Sequence, residues 1–299
     1  MSGVECSVIV PTRDRPGQLG DCLDALGAQS MAPDAFEVIV VDDGSRDEMA
    51  PRLSRWTGRL TIRHVRTPGI GPAAARNAGI ALASGAWLAF TDDDCLPAPG
   101  WLDAMRRARR RHPSALVGGP TANRLPDCAA AEASQLITDI VLDYYNADAG
   151  QPRFFPSNNM AVGAARLRDV GGFNKSFRTA EDRDLCDRWR LAGLPLAFAP
   201  DAVVGHAHRM TLASFIRQHA GYGRGAHRFM RAHRQRQRTT STFEPMFYTG
   251  LLPRALRLLR GRRRPAALAA LLVVWQLANA AGYLQAWAGG MAAPARGSR

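Results

Sequence analysis

An α/β fold built around a mainly parallel sheet is predicted by three features of this chain. Short β-branched runs alternate with helical patterns through the first hundred residues, the pattern of successive βαβ units. Those runs are nearly continuous in apolar residues, as strands covered on both faces are. Each of them ends in polar or turn-forming residues. In an open α/β sheet ligands bind outside the carboxyl ends of the strands, so these clusters are expected to converge on one crevice.

The first strand is Ser7-Val8-Ile9-Val10, followed by Pro11-Thr12-Arg13-Asp14. Leu19, Cys22, Leu23 and Leu26 then recur at helical spacing and predict an amphipathic crossover helix between Gly17 and Ala28. The second strand is Glu37-Val38-Ile39-Val40-Val41, ending in Asp42-Asp43-Gly44-Ser45. Taken alone, that tetrad also reads as a tight turn with a helix N-cap. Pro72-Ala73-Ala74-Ala75-Arg76-Asn77-Ala78-Gly79 opens a helix of small residues that can pack closely on the sheet. Arg76 interrupts it with a fork of donors suited to a phosphate or a carboxylate.

Trp87-Leu88-Ala89-Phe90 is the third strand, and it runs into Thr91-Asp92-Asp93-Asp94-Cys95. Three adjacent carboxylates raise one another's pKa and are costly unless a cation or hydrogen bonds compensate them. Hard oxygen ligands select Mg²⁺ or Mn²⁺, and Mg²⁺ held by one or two carboxylates completes its shell with substrate phosphates. A nucleoside diphosphate is the partner such a site fits. A solvated acidic turn would also accommodate three aspartates.

Further on stand Asn158-Asn159-Met160-Ala161-Val162 and Gly171-Gly172-Phe173, the latter a turn that permits close backbone approach. Leu185, Trp189 and Leu191 give helical spacing, which puts Glu181 and Asp182 at a helix N-terminus, where complementing the helix dipole would also explain them. Leu196-Ala197-Phe198 reads as a strand. In the following run, Val203 to His208, alternation puts His206 and His208 on one side, and two neutral imidazoles so placed can complete a metal shell.

A chain of 299 residues holds one large domain with an appendage, or two modest domains. Its 46% hydrophobic and 22% charged content excludes global disorder. The formal net charge of +13 is concentrated in the C-terminal third and suits an anionic partner, nucleic acid or membrane, without choosing between them. Cys6, Cys22, Cys95, Cys128 and Cys186 form no C-x-x-C pair and read as reduced, mostly buried thiols. The first residues lack a basic stretch and a long apolar run, so no cleaved secretory signal is expected there. From Arg209 to Arg238, arginines interleave with Phe215, Tyr222 and Phe229, as in a basic amphipathic helix. After Arg260-Gly261-Arg262-Arg263-Arg264 no charged side chain follows until Arg296, a stretch longer than the ~20 residues a bilayer span needs. Trp275, Tyr283 and Trp287 suit a membrane interface, and the arginine cluster would stay cytoplasmic. Gln276, Asn279 and Gln285 interrupt the stretch and leave an interfacial, re-entrant or buried helix as alternatives.

Pro11-Thr12-Arg13, Val40-Val41-Asp42-Asp43-Gly44-Ser45, Arg76-Asn77-Ala78-Gly79, Asp92-Asp93-Asp94 and Glu181-Asp182, in that order and spacing, closely resemble the inverting glycosyltransferases of family 2. The resemblance implies a GT-A, Rossmann-like domain over residues 1–210. A basic amphipathic region at 211–264 and an apolar membrane-associated segment at 265–295 would follow it. By the same resemblance Pro11, Thr12, Arg13 and Asp42 or Asp43 hold the nucleoside and Arg76 supports nucleotide binding. Asp92 and Asp93 approach the ribose or sugar. Asp94, with His206 as an additional ligand, holds Mg²⁺ or Mn²⁺, and Asp182 of the Glu181-Asp182 pair is the general base.

The implied activity moves a sugar from a nucleotide-diphosphate sugar to a hydroxyl of a lipid-linked or polysaccharide acceptor. Its expected place is the cytoplasmic face of the cell membrane, in cell-envelope polysaccharide synthesis, with no nucleic-acid partner. Processive synthases of the family carry Gln-x-x-Arg-Trp after the base, where this chain has Phe215-Ile216-Arg217-Gln218-His219-Ala220-Gly221-Tyr222, so transfer of one sugar is expected. Two other classes remain. A nucleotidyltransferase needs a Gly-rich loop where Pro11-Thr12-Arg13-Asp14-Arg15-Pro16 stands, and a membrane-tethered nucleotide-sugar or nucleic-acid binding protein would leave the carboxylates without a task.

Overall fold

The computed structural model describes residues 3–238, 247 and 249–292. The chain forms two compact units, residues 1–125 with 142–208, and residues 126–141 with 209–299. The expected regions 211–264 and 265–295 fall partly outside the described residues, at 239–246, 248 and 293–295.

The first unit runs β1 (Cys6–Thr12), α1 (Pro16–Gly27), β2 (Phe36–Asp42), α2 (Ala50–Leu53), β3 (Ile62–Arg66), α3 (Pro72–Leu82), β4 (Trp87–Phe90), β5 (Cys95–Pro97) and α4 (Trp101–Arg111). Next come β6 (Leu116–Gly118) and β7 (Thr121–Asn123), and then α5 (Ala129–Tyr145), whose residues up to Val141 belong to the second unit. It closes with β8 (Met160–Gly163), α6 (Ala164–Asp169), α7 (Glu181–Leu191), β9 (Leu196–Phe198) and β10 (Val204–His206). Among the described residues, seven strands form a mainly parallel sheet in the order β3-β2-β1-β4-β8-β6-β9, with β8 antiparallel to both neighbours. A smaller sheet has the order β5-β10-β7.

The apolar strands are buried on both sides, as the sequence requires. Val8, Val10, Val38 and Val40 pack into one core with Leu19, Leu23 and Leu26 of α1 and Met105 of α4. Ile9, Ile39 and Val41 face the other, with Ala73 and Ile80 of α3 and Leu185 and Trp189 of α7. Leu191, expected on the buried stripe of α7, is instead exposed, and Cys186 takes its place in the core. Strand β3 is not legible from apolar pattern because Ile62-Arg63-His64-Val65-Arg66 is an edge, where charge blocks further strand pairing. α1 begins with Pro16, whose missing N–H is no loss in a first turn.

The second unit is helical. Leu136, Ile140, Phe215, Leu268, Leu272 and Trp275 form its core, and Arg262 bridges Glu132 and Asp139. After α8 (Leu212–Gln237) and α9 (Leu251–Leu259), α10 (Pro265–Ala292) lies alongside α8 and parallel to it. Its ring contacts advance in step, His219 with Trp275 and His227 with Tyr283. Glycines let the two backbones touch: a Cβ on Gly223 would overlap the carbonyl of Asn279, and one on Gly282 would overlap the carbonyl of Ala220.

Asn159 is a buried staple of the first unit. Its Oδ1 accepts from Trp101 Nε1 at 2.8 Å, and its Nδ2 donates to the carbonyls of Pro120 and Ala202 at 2.9 and 2.8 Å. Asn159→Ala strands three buried groups and should cost about 3 kcal/mol or more, read as a lower midpoint in urea; a change within about 0.5 kcal/mol would show that water replaces the staple.

Candidate active site

Strand order reverses beside β1, and that reversal fixes where a site can form. From β1 the chain builds outward through β2 and β3, then returns to place β4 on the other side of β1. Loops leaving neighbouring strands in opposite directions open a crevice at their carboxyl ends. There, Thr12 Oγ1 at the end of β1 donates to Asp93 Oδ2 at 2.8 Å. Arg15, just before α1, donates to Asp93 Oδ1 at 3.1 Å and Asp94 Oδ2 at 3.2 Å. The pairing of β10 with β5 sets His206 opposite Cys95 and brings two imidazoles to the third aspartate. His206 Nε2 lies 3.3 Å from Asp94 Oδ1, and His208 Nδ1 lies 2.6 Å from Asp94 Oδ2.

Burial sets the electrostatics of the cluster. It pushes the Asp93 carboxyl up to about 6, against the pull of Arg15 and with the help of Asp94. Burial acts on Asp94 too, but hydrogen bonds from His206 and His208 outweigh it and hold that carboxyl well below the usual range. Burial also pushes the Cys95 thiol well above its ordinary value, and a soft sulfur ligand suits a hard cation poorly. Ligand atoms of Asp94, Cys95 and His206 lie within 4.8 Å of one another. With the thiol set aside, the carboxylate and the imidazoles of His206 and His208 form an O/N donor set that fits a divalent ion such as Mn²⁺.

A second knot lies where α3 meets α7. Small side chains bring α3 so close to the sheet that a Cβ on Gly79 would stand 2.7 Å from Ile9 Cγ2. Arg76 is consequently a buried residue, 3% exposed. Its Nη2 donates to Asp92 Oδ1 at 2.6 Å and its Nη1 to Glu181 Oε1 at 2.8 Å, and the guanidinium lies 5.6 Å from the Phe173 ring centre. Burial disfavours the charged guanidinium, yet Asp92 and Glu181 more than reverse that and raise its pKa.

Asp182 is held differently. It accepts from two backbone N–H groups, Arg183 to Oδ1 at 2.7 Å and Ser157 to Oδ2 at 3.3 Å, so about two of its four acceptor positions are taken. Burial, reinforced by the Glu181 carboxylate, pushes the Asp182 carboxyl well above the usual range. The chain enters α7 through Ala180 at φ 65°, a left-handed conformation that costs a non-glycine residue roughly 1 kcal/mol.

The structure thus brings together Thr12, Arg76, Asp92, Asp93, Asp94, Glu181, Asp182 and His206 around the strand ends. Asp42 and Asp43 are occupied in adjoining loops. Asp42 Oδ1 accepts from Ser45 N at 2.8 Å, as in the tight turn the sequence allowed. Asp43 accepts from Thr67 Oγ1, Ile70 N and Gly71 N at 2.7, 2.7 and 2.8 Å, fastening the approach to α3. Pro11 lies in β1, and Arg13 is exposed beside Gly69. Sequence reading gave no role to Arg15; it placed His206 and His208 together as able to complete a metal shell, while the family resemblance implied His206 alone as a ligand. The spacing of the two histidines held the signal for His208. For Arg15 only its place in the loop after β1 could have pointed to the aspartates.

Residues 7–178 match the family model for glycosyl transferase family 2. A pre-mycofactocin glycosyltransferase of Mycobacterium tuberculosis is 30% identical over 231 residues, which cover 74% of this chain and 47% of that protein. Glycosyltransferase AglE of Haloferax volcanii is 31% identical over 207 residues, covering 68% of this chain and 67% of that one. A validoxylamine A glucosyltransferase of Streptomyces hygroscopicus subsp. limoneus is 29% identical, covering 66% and 50%. The chain spans about half the length of several of these relatives. In fold it is similar to a mannosyltransferase from Pyrobaculum calidifontis in complex with GDP-Man and Mn²⁺, at a TM-score of 0.63 and 20% identity over 98% of this chain and 81% of that one. It is similar also to S. aureus TarS 1–349 in complex with UDP-GlcNAc, at a TM-score of 0.55 and 16% identity over 96% and 92%.

Removing the guanidinium that two carboxylates share leaves buried charge without a partner. Arg76→Met should therefore lower stability by about 3 kcal/mol in urea denaturation. A loss under about 1 kcal/mol would mean that Asp92 and Glu181 do not depend on it.

Proposed function

The chain belongs to glycosyltransferase family 2, and on that premise we propose that it moves one sugar from a nucleoside-diphosphate sugar to an acceptor hydroxyl, inverting the anomeric centre. The observation that carries the reading is the division of labour between adjacent acids: Arg76 occupies Glu181, while the Asp182 carboxylate accepts from the backbone N–H groups of Arg183 and Ser157 and has a raised pKa. Asp182 is the base. It takes the proton of the acceptor hydroxyl as that oxygen bonds to the anomeric carbon and the bond from that carbon to the diphosphate oxygen breaks. The raised pKa makes Asp182 a stronger base, provided it is deprotonated. Arg76 positions Asp92 and Glu181, and Thr12 and Arg15 fix the orientation of Asp93 and Asp94.

Asp94, His206 and His208 would hold a divalent cation, Mg²⁺ or Mn²⁺, which would supply the positive charge a departing diphosphate needs. Support for this comes from the donor set itself and from the Mn²⁺ and GDP-Man of the mannosyltransferase with the similar fold. The relatives' names supply glycosyl transfer as the reaction class.

We read the acceptor as lipid-linked or a membrane-proximal saccharide, met at the cytoplasmic face of a membrane. Within α10, Pro265–Gly289 is long and apolar enough to cross a bilayer, and 22% of that window is buried, less than a core helix would be. Lying on the membrane is the better reading of the alternatives. α10 packs along α8, whose Arg217, Arg224, Arg228, Arg231 and Arg234 would otherwise be carried to bilayer depth at a cost of several kcal/mol.

Asp182→Asn keeps shape and removes basicity. Turnover, measured as UDP or GDP release with a nucleotide-sugar panel and Mn²⁺, should fall by about 10²- to 10⁴-fold with donor affinity retained; wild-type turnover would remove Asp182 from the chemistry. In the wild type, kcat/KM should rise with pH, since the base works deprotonated, and its acid limb should lie above the ordinary carboxylate pKa of about 4. A limb at or below that value would place the titrating group elsewhere. Asp94→Ala should abolish the Mn²⁺-dependent part of donor binding in calorimetry, and unchanged affinity would exclude Asp94 from the ion site.

A further inference from the structure

Between α8 and α10 the second unit holds a cleft of about 400 Å³, lined by His227, Arg231 and Arg234 from one helix and Tyr283, Leu284 and Trp287 from the other. Its two walls differ in chemistry. The α8 wall is cationic: burial, and then the charges of Arg231, Arg234 and Arg228, pull the half-buried His227 imidazole below its ordinary value. The α10 wall is apolar and aromatic, with the Tyr283 ring edge-on to His227 at 5.1 Å. Leu284 and Trp287 of the lining are 58% and 50% exposed, and their spacing puts them along one face of α10 with Val273 and Leu277, which are 60% and 68% exposed.

An occupant has to satisfy both walls. A nucleic acid would pair its phosphates with the arginines and leave the apolar face in water. The surface of an anionic bilayer covers both, because arginines meet headgroup phosphates while apolar side chains enter the acyl boundary and tryptophan sits between. We propose that this cleft seats the phosphate headgroup of an anionic membrane lipid, with Arg231 and Arg234 on the phosphate, His227 as a further donor and Trp287 against the glycerol region. The inference deepens the membrane reading above and rests on it. It converts a diffuse basic surface into a defined seat that fixes how α8 and α10 lie on the bilayer.

The test is co-sedimentation of the full chain with phosphatidylcholine vesicles, with and without phosphatidylglycerol. Wild type should partition onto the anionic vesicles. Arg231→Gln/Arg234→Gln should weaken that partitioning by more than about thirtyfold, beyond the diffuse worth of two basic residues at such a surface. Arg217→Gln/Arg224→Gln removes equal charge from the same helix outside the cleft and should weaken it by no more than about thirtyfold, the diffuse worth alone. Circular dichroism and nucleotide-sugar binding in the absence of vesicles should be the same for all three proteins, which separates lost binding from lost folding. If wild type ignores anionic vesicles, the membrane reading falls and the cleft with it. If wild type binds and both double variants lose equally, or neither loses, the membrane reading stands and the seat is overturned. Release from vesicles by inorganic phosphate alone would make this a free-phosphate site, and tighter binding of double-stranded RNA than of vesicles would make it a nucleic-acid surface; either overturns the lipid.

Discussion

Compensation of carboxylates gathered where the loop after β4 meets the start of α7 is the constraint on which the first unit depends. Asp92, Asp93, Asp94, Glu181 and Asp182 come from distant parts of the chain, and left alone they would repel or protonate. Each is answered by a partner, and two arginines answer two carboxylates apiece. Arg76 spans Asp92 and Glu181, Arg15 spans Asp93 and Asp94, two histidines meet Asp94, and backbone N–H groups hold Asp182. These partners are drawn from α3, the loop after β1, β10 with the residues that follow it, and α7. Moving any of those elements would strand a charge, so electrostatic closure and strand topology specify the same arrangement.

Compensation is also graded, and the grading separates roles. Asp94 is held ionised, Asp93 is raised towards neutrality by burial, and Asp182 is raised further while retaining acceptor capacity. An ionised carboxylate suits a cation, whereas a carboxylate with a raised pKa suits proton transfer. Neighbouring acids of one chemical type thereby acquire different proton affinities from environment alone, the difference on which the proposed roles rest.

The sheet was legible in the sequence because doubly covered strands must be continuously apolar, and β1, β2 and β4 are. What escaped is informative. β3 at the sheet edge carries Arg63, His64 and Arg66, so it has no apolar pattern to read. The acids of the site were legible because adjacent aspartates after a buried strand are costly and conspicuous. Among their side-chain partners Arg76, Thr12, His206 and His208 stood out as well, but Arg15 did not, since an arginine in a loop looks alike whether it meets water or a buried carboxylate. Asn159 stood inside a recognised run, yet its three hydrogen bonds go to Trp101, Pro120 and Ala202, contacts that no local pattern encodes.

In the second unit the closest approach of α8 and α10 is main chain against main chain at Gly223 and Gly282, with ring contacts to either side. That has an evolutionary corollary. Where side chains define a helix pair, altering the outward faces disturbs the spacing through shared packing. Here the gauge is independent of the decoration. Substitutions along the arginine-bearing face of α8 and the outward row of α10 can drift, and retune which surface the pair prefers, while two hydrogen atoms in place of two methyl groups keep the rails the same distance apart.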